Sequence, residues 1–198
     1  GGLSSKTIRD ITAIIKSSLK SAFKENLIPT LSLDFIYPKT TQKDKIYTLS
    51  KRSQESLTNY ILENQSIKTL GILLTLYSGI RIGELCALRW KDIDLKNNIL
   101  HINKTLQRVY INDMEIHSSK IVITEPKTHN AERDIPISKE FANELKKYKT
   151  EPEHYLLSCS SKWIEPRTYR RFFERISKKA NIEKINFHGL RHTFATNC

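Results

Sequence analysis

No stretch of this 198-residue sequence approaches the roughly 20 apolar residues that a membrane span needs. The most apolar run, residues 70–77 (LGILLTLY), reads instead as a buried helix. No secretory signal is visible. Cysteine is scarce and odd in number. Cys86, Cys159 and Cys198 lie far apart without metal-ligand spacing, so they read as reduced thiols of a cytoplasmic protein. Acidic residues are outnumbered, 21 against 33 lysines and arginines, which leaves a formal net charge of +12. That excess points to a polyanion, DNA or RNA before a membrane surface, although charge serving only solubility would look the same. Repeats and low-complexity tracts are absent. A hydrophobic fraction of 38% beside 27% charged residues predicts a folded chain rather than a disordered one.

Periodicity supplies the outline. Over residues 5–26, Ile8, Ile11, Ile15, Leu19, Ala22 and Phe23 recur at helical spacing. Arg9, Lys16, Lys20 and Lys24 fall on another face, a stripe able to track phosphates or simply a solvated surface. An irregular segment with Pro29 and Pro38 follows, and its second half reads as a linker. A second domain opens near Tyr47. Ser50 can cap a helix running to about Glu63. Residues 66–78, apolar nearly all round, predict a core helix that Gly79 stops in the left-handed conformation. A short helix over 82–88 comes next. Residues 98–103, 104–112, 120–124 and 133–137 read as strands, with 126–132 the loop between the last two. Helices return over 138–149 and 166–180. The latter has Pro166 in its first turn and buries Tyr169, Phe172, Phe173, Ile176 and Ala180. Its opposite face carries Arg167, Arg171, Arg175 and Lys178, a second basic stripe. A last helix opens at His188. The expected class is α+β, helices around a small antiparallel sheet.

Three segments carry chemistry. In SGIRIGEL (residues 78–85), Arg81 stands at a helix start, where free backbone N–H groups also favour an anion, and Glu84 can orient its guanidinium. An ordinary surface Arg–Glu pair has the same spacing. In EPKT (residues 125–128), Lys127 lies between two strands, either a solvated hairpin-tip lysine or a mobile ammonium that reaches DNA. In HGLRHTFAT (residues 188–196), His188 and Arg191 share a helix face and can meet one phosphate. His188 and His192 could instead hold a metal, but no Glu lies between them and no third ligand is obvious.

In this order, GxRxxEL, a lysine expected on a β-hairpin, and HxLRHT resemble the tyrosine recombinases, or phage-type integrases. The resemblance covers residues 47–198. Residues 1–33 are similar to the last part of that family's helical core-binding domain, with 34–46 as linker. The wording PKTHNAERDIPIS looks closest to integrases of phages and conjugative transposons of low-GC bacteria. The family pattern continues past HxLRHT to a nucleophilic tyrosine, whereas none of the eight tyrosines here stands in that place. A C-terminally truncated catalytic domain that binds DNA without cutting it is therefore expected.

The resemblance implies phosphoryl transfer without metal or other cofactor. A tyrosine hydroxyl would attack a DNA phosphate, giving a 3′-phosphotyrosyl link and a free 5′-hydroxyl. Arg81 and Arg191 would clamp the phosphate oxygens and Lys127 would protonate the leaving oxygen. His188 would bond the phosphate and assist proton transfer, while Glu84 would hold Arg81. The implied partner is double-stranded DNA, with a homotetramer on DNA in the full-length protein and an excisionase or host DNA-bending protein as further candidates; no membrane is involved. A type IB topoisomerase shares this chemistry, and a non-catalytic DNA-binding protein shares the charge. A metal nuclease would need an acidic cluster, for which Glu84, Asp92 and Asp94 are the close candidates.

Overall fold

The computed structural model describes residues 2–29, 34–37, 48–113, 116–124 and 132–197. They fall into two compact units, Gly1–Lys45 and Ile46–Cys198. The first is built on helix α1, Ser5–Lys24, started by Ser4, whose side chain accepts the Thr7 N–H. Its apolar positions Ile11, Ile15 and Phe23 are exposed, and only Thr12 is buried, its hydroxyl donating to the Ile8 carbonyl.

The second unit contains the core. Helix α2, Lys51–Glu63, starts at Ser50 as the capping pattern predicts, and α3, Ile67–Ser78, starts at Ser66 in a reciprocal capping box with Thr69. Leu70, Ile72 and Leu74 are all but fully buried, so α3 is the central helix. Gly79 ends it at φ +64°. Helix α4 follows over Ile82–Ala87, then a 3-10 turn over Trp90–Asp92. The strands are β1 (Ile93–Asp94), β2 (Ile99–Ile102), β3 (Thr105–Asp113), β4 (Ile116–Thr124) and β5 (Arg133–Pro136). Three helices remain: α5 (Lys139–Lys146), α6 (Pro166–Lys179) and α7 (Phe187–Asn197).

The single small sheet expected from the sequence is two separate ladders. One is antiparallel in the order β1-β2-β5, the other is the hairpin β3-β4. β5 pairs with β2, Leu100 opposite Ile135, rather than with β4. The segment expected to carry Lys127 between these strands lies outside the described residues. β4 also begins earlier than its predicted start at Lys120, because Ile116 already pairs with Asp113.

Aromatic packing seats the last two helices. Tyr169 and Phe173 of α6 are fully buried, and each meets Phe187 of α7 edge-on, at 5.6 and 5.3 Å between ring centres. Burying each such ring stabilises the fold by about 1.5–3 kcal/mol. The Tyr169 hydroxyl donates to the Lys68 carbonyl at 2.7 Å, which ties α6 to α3. Phe172, expected in the core, is only half-buried at the edge of this cluster. Helix α7 lies along α3, and α4 lies against β3 and α6. Among the described residues no helix is long and apolar enough to cross a membrane.

Candidate phosphate-binding site

Both glycines of SGIRIGEL are demanded by close approach. A Cβ on Gly79 would lie 2.5 Å from the Phe194 ring of α7, and one on Gly83 would lie 2.7 Å from the Leu106 carbonyl oxygen of β3. Without them the turn between α3 and α4 could not press against α7 and β3 at once. Arg81 is the N-cap residue of α4.

Glu84, one turn further, is buried, with 6% of its side chain exposed. It accepts the Arg81 backbone N–H and the Arg81 Nη1, each at 2.8 Å. It also accepts both terminal nitrogens of Arg133, at 3.1 and 2.7 Å, as a bidentate pair. Burial pushes the Glu84 pKa up, but the Arg133 hydrogen bonds, the Arg81 backbone and side-chain bonds and the Arg133 charge outweigh it. The net direction is below the ordinary 4.5. The Arg81–Glu84 contact is thus part of an ionic triad centred on a buried carboxylate, with Arg81 itself exposed, rather than an isolated surface pair. The Arg81 N–H is also occupied by Glu84 rather than free for an anion.

Arg191 reaches this turn from α7. Its Nη1 donates to the Gly79 carbonyl across 112 residues of sequence. Burial and then the Arg81 charge lower its pKa, Glu84 opposes them, and Arg133 lowers it further; arginine nevertheless stays cationic at ordinary pH. His188 lies one helical turn before Arg191. Burial first, then His192, Arg191 and Arg81, hold its pKa below 6.5, so the neutral imidazole is favoured at neutral pH. The His188 and His192 rings meet edge-on, 4.5 Å apart. Among the described residues no three His, Cys, Asp or Glu side chains gather as a metal-binding set.

Arg81, His188 and Arg191 line one cleft of about 430 Å³, together with Ile80, Ile82, Asn186, Phe187 and Arg170. Two arginines and an imidazole around a cavity open to solvent suit a phosphate group. Lys127 lies outside the described residues. Arg167, Arg171, Arg175 and Lys178 are exposed on α6 as expected. The last three border a shallow groove in which Glu174 interrupts the positive charge. In the first unit, Arg9, Lys20 and Lys24 are exposed on α1, whereas the Lys16 ammonium lies 5.1 and 5.6 Å from the Phe35 and Tyr37 ring centres.

Two residues escape sequence reasoning. Arg133 left no signal, because its partner Glu84 is 49 positions away. Arg170 left a weak one. It stands beside Arg171 but three positions before the buried Phe173, so helical geometry puts it at the edge of the buried face rather than in the stripe.

Comparison with known proteins gives the chain's family and fold. Residues 39–198 match the phage integrase family. A XerC-like tyrosine recombinase of Caldanaerobacter subterraneus is 25% identical over 98% of this chain and 56% of its own length. The integrase of Staphylococcus phage L54a is 32% identical over 59% of this chain and 35% of its own. The chain thus spans about half the length of such relatives or less. The solved structure of the Tn1549 transposon integrase in complex with transposon right end DNA superposes with a TM-score of 0.76, at 24% identity, over 99% of this chain and 67% of that one.

Proposed function

This chain belongs to the phage integrase family, and we propose that it is the DNA-binding and phosphate-clamping part of a site-specific recombinase. The observation that carries this reading is the convergence of Arg81, His188 and Arg191 on one cleft from helices far apart in sequence. Duplex DNA is the substrate. The scissile phosphate lies between the Arg81 and Arg191 guanidinium groups, which neutralise the charge that grows on its non-bridging oxygens. His188 bonds the same phosphate. A tyrosine hydroxyl gives up its proton with the help of the neutral His188 and its oxygen attacks phosphorus; the bond to the 5′-oxygen breaks, and Lys127 supplies the proton that leaves a 5′-hydroxyl. The 3′-phosphotyrosyl bond conserves the energy of the broken one, so a 5′-hydroxyl of a partner duplex can reverse the step and join there. Integration or excision of a mobile element is the outcome, with four protomers on two duplexes.

In this reading residues 1–33 close the core-binding domain, 34–46 link it to the catalytic domain of 47–198, and the basic faces of α1 and α6 hold DNA backbone. The nucleophile is not among the described tyrosines, none of which lines the cleft. Tyr169 is fully buried with its hydroxyl bonded, and burial pushes its pKa up. In this reading the 198 residues bind DNA and take the nucleophile from outside the described tyrosines.

The test has two arms. Labelled duplex carrying the recombination site is run on a denaturing gel after incubation with the chain, then with the chain extended by a tyrosine-bearing tail from a relative. The chain alone gives no protein-linked band. The extended protein gives one in EDTA, and Arg191→Ala slows its formation at least about a hundredfold, as loss of one transition-state donor does. An adduct from the chain alone, or an absolute need for magnesium, overturns the reading.

A further inference from the structure

We infer that Arg170 of α6, with Asn186 beside it, forms a second phosphate subsite that holds the DNA backbone phosphate next to the scissile one. The inference rests on the DNA reading above. Arg170 lines the same cleft as Arg81, His188 and Arg191. The other two cleft arginines are held by the protein, Arg81 by Glu84 and Arg191 by the Gly79 carbonyl. The Arg170 side chain has no hydrogen bond, ion pair or ring contact among the described residues. It is an anchored helix position presenting an unengaged guanidinium to a cleft that is already positive.

Stoichiometry argues that its anion is a separate one. A phosphodiester offers two non-bridging oxygens and one negative charge. The forks of Arg81 and Arg191, with a ring nitrogen of His188, suffice to fill those oxygens. The carboxylate beside the cleft among the described residues, Glu84, is shared by Arg81 and Arg133. A further arginine then has neither an open oxygen on the scissile phosphate nor a protein counter-charge. Asn186 adds a donor at the same edge. Its Oδ1 accepts the Gly189 N–H at 2.9 Å, which orients the carboxamide and leaves its NH2 group for a ligand.

Position gives the strand a path. Arg170 precedes Arg171 and lies one turn from Arg167, on the flank of α6 between the cleft and the exposed basic face. A strand leaving the cleft past Arg170 runs onto that face. Arg170 therefore fixes the register of the backbone at the site, a positioning role rather than a chemical one.

The salt dependence of binding decides the matter, because it counts phosphates neutralised, not cations present. A mixed-sequence 30-base-pair duplex is titrated with the chain by fluorescence anisotropy at several salt concentrations. Arg170→Gln should weaken binding roughly tenfold at low salt, the scale of one charge-assisted contact. The slope of log affinity against log salt should become shallower by about 0.9, the value of one phosphate. Arg170→Lys, which keeps charge and fold, should restore the slope, and unchanged thermal melting of both variants separates the effect from unfolding. A wild-type slope in Arg170→Gln overturns the second subsite and leaves the DNA reading intact. Absence of salt-dependent binding by the unaltered chain overturns the DNA reading itself.

Discussion

Replacing Glu84 by Gln preserves shape and removes one buried charge, and its cost can be worked from the contacts. The carboxylate accepts four hydrogen bonds, three from guanidinium nitrogens and one from the Arg81 N–H. The carboxamide keeps one accepting oxygen and turns the other into an NH2 group, which then faces donors at 2.7 to 3.1 Å. Breaking a fully buried ion pair costs about 3–5 kcal/mol. Arg81 and Arg133 keep 55% and 28% of their side chains exposed, so water relieves part of that loss. About 2–3 kcal/mol remains, comparable to one or two unsatisfied charged donors. In a domain of this size that lowers the melting temperature by roughly 4–12 °C. The assay is thermal unfolding by circular dichroism at a series of pH values. The Glu84 pKa lies below its ordinary 4.5, so its stabilisation is fully present above 4.5 and is lost as pH falls through the folded-state value. The gap between wild type and Glu84→Gln should be constant near neutrality and narrow in acid. Identical melting at neutral pH, or a gap that persists unchanged in strong acid, would show that the triad does not hold Arg81.

Gly79→Ala should destabilise the chain by about 2–4 kcal/mol in urea unfolding, because alanine resists the left-handed conformation and its Cβ overlaps the Phe194 ring; a loss under about 0.5 kcal/mol, the usual surface scale, refutes the packing argument. His188, titrated by NMR, should show a pKa below 6.5 in the free chain and a higher one with duplex DNA, since bound phosphate favours the imidazolium. Because the fold favours neutral His188, its contribution to stability is unaffected above pH 6.5 and declines as pH falls through that value. A pKa that DNA leaves unmoved removes His188 from the phosphate. Reversing Arg171 and Arg175 to Glu should weaken binding to any duplex at low salt without changing thermal melting; unchanged affinity would make the α6 face merely solvated.

What the sequence made legible was mostly local. Ser50 announces α2 because a cap depends on residues three positions away, whereas α3 is legible from its apolar periodicity and not from its Ser66 cap. The apolar wheel of α3 and the two-faced wheel of α6 announce burial for the same reason. Strand pairing is different. Alternation says that residues 120–124 and 133–137 are strands, but not that Ile135 finds Leu100 rather than a neighbour in β4. The site divides in the same way. Arg81, His188 and Arg191 were found through motifs that resemble a family, and no spacing rule would have brought Arg191 to the Gly79 carbonyl. Arg133 and Arg170 belong to no such motif, and each acquires its meaning only when the chain has folded. Arg133 shows why this matters. It starts the strand that follows the segment bearing Lys127, and it shares Glu84 with Arg81. One buried carboxylate thus ties that strand to the turn that carries Arg81, so a change at either arginine is felt at the other through a residue that need not touch DNA at all.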